Sequence, residues 1–126
     1  MVDKLEAIFQ RQKELLEKFH EIEDSHGLLP DRNVPVNLET HQGQAVIKSR
    51  AWNVTEELAE AMNELKNRPW KQKTYPVDLD KYYEEIVDAF HFFIELCILS
   101  GLSAQDLFDR YMGKAEINTQ RQERGV

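Results

Sequence analysis

Four carboxylates, Glu57, Glu60, Glu85 and Asp88, stand in two pairs, each pair three residues apart. On an α-helix that step is close to one turn, so each pair shares a face. Two such helices facing one another would offer four oxygen ligands to a hard divalent cation. Oxygen ligands without cysteine and with little histidine favour Mg2+, with Mn2+ as a substitute, over zinc. Mg2+ held by a few carboxylates keeps waters and coordinates substrate phosphates.

The surrounding pattern decides between a solvated acidic face and a built site. Asn53, Glu57, Glu60 and Glu64 fall within about 60° of one another on one helix, and no Lys or Arg stands at a neighbouring position to offset Glu57 and Glu60. Like charges at this spacing cost roughly 0.2–0.5 kcal/mol per pair. A solvated face explains that stripe as well as a metal site does. The second pair is different. Glu84, Asp88, His91 and Glu95 make a narrow polar stripe on an otherwise apolar helix, but Glu85 has Ala89, Phe92 and Leu96 as its helical neighbours. A carboxylate in an apolar sector needs a cation, and no basic residue on this helix is expected to serve. His91 reads either as a group that orients a carboxylate or as a hydrogen-bonded core histidine. Asp88-x-x-His91 also has the spacing of di-iron bundles, but those need the motif twice and it occurs once.

Near the C-terminus, Tyr111, Lys114, Asn118 and Arg121 recur at three- and four-residue steps. Such a face suits a small phosphate clamp, Arg giving paired contacts and Lys a point charge. It equally suits cations complementing the end of a helix dipole.

The elements that must carry these residues read as helices throughout. Apolar periodicity predicts helices over roughly 3–24, 40–67, 79–100 and 103–122. Gly27 and Pro30 stop the first, Pro69 the second and Gly101 the third. Asp78 and Ser103 are placed to cap the third and fourth. Gly43 weakens the second by about 1 kcal/mol relative to alanine. The expected fold is all-α, a four-helix core in one domain over residues 1–126. The third helix is apolar nearly all round and must be covered on every side, so a homo-oligomer is expected. Trp52, Phe90, Phe92 and Phe93 read as core or subunit interface, and Cys97 as an inert buried thiol.

Composition narrows the function classes. Sixteen Lys and Arg against 23 Asp and Glu give a net charge of −7. A nucleic acid polymer would be repelled by that field. One cysteine makes no internal disulfide, and no N-terminal apolar run resembles a signal peptide, so a reducing, cytoplasmic location is expected. The longest apolar stretch, residues 89–102, contains His91 and Glu95 and is too short to span a membrane.

The ordered set Glu56-Glu57-Leu58-Ala59-Glu60 and Glu85-Ile86-Val87-Asp88 resembles the EExxE and ExxD motifs of the all-α nucleoside triphosphate pyrophosphohydrolases. That superfamily includes MazG-like enzymes and the dimeric dUTPases. Trp70-Lys71, Asp88-Ala89-Phe90-His91-Phe92 and the Tyr111 to Gln122 pattern are similar to the dimeric dUTPase branch, including its short phage forms. The resemblance implies a Mg2+-dependent hydrolase that cleaves a nucleoside triphosphate between the α and β phosphates, releasing monophosphate and pyrophosphate. It implies that Glu57, Glu60, Glu85 and Asp88 hold the metal, that Lys114, Asn118 and Arg121 hold the phosphates, and that Trp70 lies near the nucleoside. Gln12, on the apolar stripe of the first helix, is similar to a glutamine that reads the pyrimidine in that family; a hydrogen-bonded core glutamine is the alternative. Glu57 or Glu60 is the expected base toward the attacking water. Leu15, Leu16 and Ala115 depart from the branch's usual asparagines. Those departures leave the substrate as dUTP, with dCTP or a broader nucleotide range as the alternative. The partners implied are a nucleotide and a second or further copies in a homodimer or homotetramer. A non-enzymatic helical interaction protein is the reading of another class.

Overall fold

The structure, a computed structural model, describes residues 1–27 and 31–125; Pro30, expected to help stop the first helix, lies outside them. Four helices follow in order: α1 (Lys4–Ser25), α2 (His41–Leu65), α3 (Leu79–Leu99) and α4 (Ala104–Arg124), with no strand among the described residues. Each starts at a side chain that accepts a backbone N–H: Asp3 from Glu6, Thr40 from Gly43, Asp78 from Lys81 and Ser103 from Asp106. The fourth cap is a full capping box, with Asp106 accepting from the Ser103 N–H. The predicted boundaries hold to within two residues. The end of α2 moves in from 67 to Leu65, where Lys66 takes a left-handed conformation.

Two glycines have a steric reason. Gly101, at φ +89°, turns the chain out of α3, and the Leu102 N–H reaches back to the Cys97 carbonyl. At Gly43, a Cβ would collide with the Asn37 carbonyl oxygen. The expected weak point of α2 is therefore a close approach of the preceding loop, which only glycine permits.

The core lies between α1, α2 and α3, around Phe9, Leu16, Val46, Ile94, Ile98 and Leu99. Val36 closes one end, its N–H bonded to the Leu99 carbonyl. α3 is central, packed along α2 and across α1. Arg50 pairs with Glu95, while Glu57 acts on Asp88 and Glu60 on Glu85. Numbers that rise on α2 thus fall on α3, so the two helices run antiparallel. The same register, carried one turn further, sets Glu64 opposite Lys81.

α4 is turned 105° from α3 and rests on α1 through its first turns, where Ala104 and Leu107 join the core. Beyond them Phe108, Tyr111 and Met112 are exposed. Trp52, Phe90 and Phe93 are likewise surface residues, which removes the core half of their expected role; Phe92 is half-buried. No single helix is long and apolar enough to cross a membrane.

Candidate metal centre

Ligand oxygens of Glu57, Glu85 and Asp88 all lie within 4.8 Å of one another. α2 contributes the first and α3 the other two, at the end of the hairpin nearer the 66–78 connection. Glu85 is 9% exposed, and its Oε2 is buried without a hydrogen-bond partner. Glu60 stands at the rim, exposed, close enough to share a proton with Glu57 or Glu85. Desolvation first, then the charges of Glu60, Asp88 and Glu85, push the Glu57 carboxyl from 4.5 up to about 7. Burial, followed by Glu60 and Asp88, pushes Glu85 up as well. A divalent cation held by Glu57, Glu85 and Asp88 would offset both causes. An all-carboxylate donor set with an orphaned buried oxygen fits Mg2+ or Mn2+.

One cation, Lys81, stands on α3 one turn before Glu85 and opposes the rise of its carboxyl, as the smallest of the influences on it. It makes no ion pair with Glu85 among the described residues, and the carboxyl stays raised, which agrees with the expectation that no basic residue on this helix serves Glu85. The i to i+4 spacing of Lys81 and Glu85 is the signal in the sequence for that small influence.

Gln12 is 3% exposed, and its Oε1 accepts from His91 Nδ1 at 2.8 Å. His91 itself is exposed, so it is not a core histidine, and the partner it orients is an amide rather than a carboxylate. The two residues share the wall of a cavity of about 520 Å³ between α1 and α3, with Ile8, Leu15, Phe90 and Ile94. Trp70 stands exposed on the α2–α3 connection.

Lys114, Asn118 and Arg121 share an exposed face of α4, and the fold does not bring them to the acids of their own chain. Glu85 is about 21 Å along α3 from Leu99, and Lys114 about 15 Å along α4 from Ala104. With the two axes turned 105°, the backbone positions stand about 20 Å apart or more.

The raised carboxyls carry a pH signature. A folded-state value near 7 against 4.5 means the metal-free fold keeps a proton that the unfolded chain releases in between. That contribution to stability is complete below 4.5 and is lost as pH rises through 7. Mg2+ competes with that proton, so binding releases it. Thermal melts should show a larger Mg2+-induced rise in Tm at about pH 8 than at about pH 6. An equal rise at both would count against the cluster as the binding site.

The comparisons with known proteins bear on the same residues. The family model described as dUTPase matches residues 4–98. The match runs through α1, α2 and α3, includes Gln12, Trp70 and both acidic pairs, and stops before α4. No curated protein and no solved structure matches the chain. The two helices that carry the carboxylate cluster, together with α1, are thus the ones that the family model recognises, over most of the sequence, and this all-α chain belongs to the dUTPase family.

Proposed function

We propose that the protein is a Mg2+-dependent pyrophosphohydrolase that cleaves a pyrimidine deoxynucleoside triphosphate, dUTP first among them, to the monophosphate and pyrophosphate. The observation that carries this is the convergence of Glu57, Glu85 and Asp88, with an orphaned Glu85 oxygen, in a chain of the dUTPase family.

Glu57, Glu85 and Asp88 would hold Mg2+. When bound, the ion supplies charge neutralisation for the phosphates and acidifies a water. Glu60, at the rim and outside the ligand group, is the better placed of the two expected bases to take the proton of a water attacking the α phosphorus. The cavity beside His91 and Gln12 is where we place the pyrimidine nucleoside. Its surface is mainly apolar, with Arg11, Gln12, Glu14, Lys18 and His91 as the polar groups that could orient a ligand. His91 orients Gln12 there; the connection that carries Trp70 lies on the other side of the acids, before the start of α3, and Trp70 does not line the cavity.

Lys114, Asn118 and Arg121 contact phosphates, in this reading, only from a second copy of the chain. The exposed Phe108 and Met112 of α4, with Leu58, Met62 and Phe93 of the hairpin, are apolar surface that a homodimer or homotetramer would cover.

The test is product analysis with Mg2+ and each common dNTP and NTP in turn. Monophosphate plus pyrophosphate from dUTP alone is the expected result. The same products from dCTP or from many nucleotides would keep the chemistry and overturn the substrate. No turnover of any nucleotide by folded protein would overturn the reading.

A further inference from the structure

We propose that Lys81 is a phosphate-contacting residue of the acidic site and faces the pyrophosphate half of the substrate, an inference that rests on the pyrophosphohydrolase reading above. Its direction on α3 falls between those of Glu85 and Asp88, at 100° per residue, so it stands on the metal-facing side of the helix. It precedes Glu85 by four residues, a rise of about 6 Å, which a lysine side chain spans. The antiparallel register sets it opposite Glu64, at the end of the acidic stripe nearest the α2–α3 connection. The side chain is exposed and joins no ion pair among the described residues.

The order of groups along α3 gives the ligand a direction. His91 borders the cavity, Asp88 and Glu85 hold the metal position, and Lys81 follows toward the helix start. A nucleoside seated beside His91 puts its α phosphate at the carboxylates and its β and γ phosphates toward Lys81. The connection beyond carries three further exposed cations, Arg68, Lys71 and Lys73, in a chain of net charge −7. A phosphate held there meets an ammonium point charge, the usual lysine contact to such groups. The charge of Lys81 already acts on Glu85, which agrees with this placement. None of the cations on α4 has that position within the chain.

Calorimetric titration of inorganic pyrophosphate into the full-length protein at saturating Mg2+ tests this without any turnover. Lys81→Ala should bind pyrophosphate about tenfold more weakly with Mg2+ saturating in both proteins, keep wild-type affinity for dUMP, and regain most of the loss as Lys81→Arg. Unchanged pyrophosphate binding by Lys81→Ala would overturn the proposal, as would an equal loss for pyrophosphate and dUMP. Pyrophosphate binding that depends on Lys81 in a wild-type protein that turns over no nucleotide would support the lysine assignment and sink the pyrophosphohydrolase reading. Normal turnover with unchanged pyrophosphate binding by Lys81→Ala would do the reverse.

Discussion

Glu85→Gln should lose more than about a hundredfold in Mg2+-dependent turnover while its melting temperature without metal stays level or rises. Removing a partner of a metal ligand costs roughly 10–100-fold, and removing a ligand should exceed that. The stability result runs the other way for a stated reason. Glu85 is pushed up by burial first, then by Glu60 and Asp88, so a neutral amide of nearly the same shape removes an unfavourable charge from the fold. The same change relieves Glu57 of one of the charges that raise it. The Mg2+-induced rise in Tm should disappear in this variant. Glu60→Gln separates the two roles, because Glu60 lies outside the ligand group. It should keep the Mg2+-induced rise and lose turnover. Wild-type activity in Glu85→Gln would remove the metal assignment; loss of both signals in Glu60→Gln would make Glu60 a ligand rather than the base.

Glu85 stands out in the sequence alone, because three apolar neighbours on a helix leave a carboxylate nowhere to go. Helix faces follow from spacing, so the pairing of α2 acids with α3 acids is legible there too. Capping side chains and Gly101 set the helix limits for the same local reason. What spacing does not supply is the direction of α4. The turn at Gly101 sets it 105° from α3, and that angle carries Lys114, Asn118 and Arg121 away from their own acids. Gly43 departs from expectation because propensity counts only the helix it sits in, while the Asn37 carbonyl that needs the space arrives from the preceding loop. Arg50 and Glu95 are separated by 45 positions, and nothing local in either stretch marks them as partners.

That distant pair is the larger stability determinant. Glu95 has no exposed side-chain surface, and Arg50 Nε lies 2.5 Å from its Oε2. Arg50 also reaches Glu23 of α1 at 3.2 Å, so one guanidinium ties three helices. Even so, burial keeps the Glu95 carboxyl above its ordinary value, with Arg50 and Gln12 pulling the other way, and neither Glu95 oxygen has an aligned hydrogen bond. Removing the arginine leaves a buried charge with no counterion, which typically costs 3–5 kcal/mol. Arg50→Ala should therefore lose about 3–5 kcal/mol in denaturant unfolding near pH 8. Glu95 is already raised in the fold and rises further without Arg50. The loss should accordingly shrink as the pH is lowered and Glu95 takes up the proton that neutralises it. Adding Glu95→Gln to Arg50→Ala removes the stranded charge and should recover more than half of the deficit, a coupling expected only of residues in contact. A deficit under about 1 kcal/mol for Arg50→Ala, or no recovery in the double variant, would mean that the three helices are held by the apolar core alone.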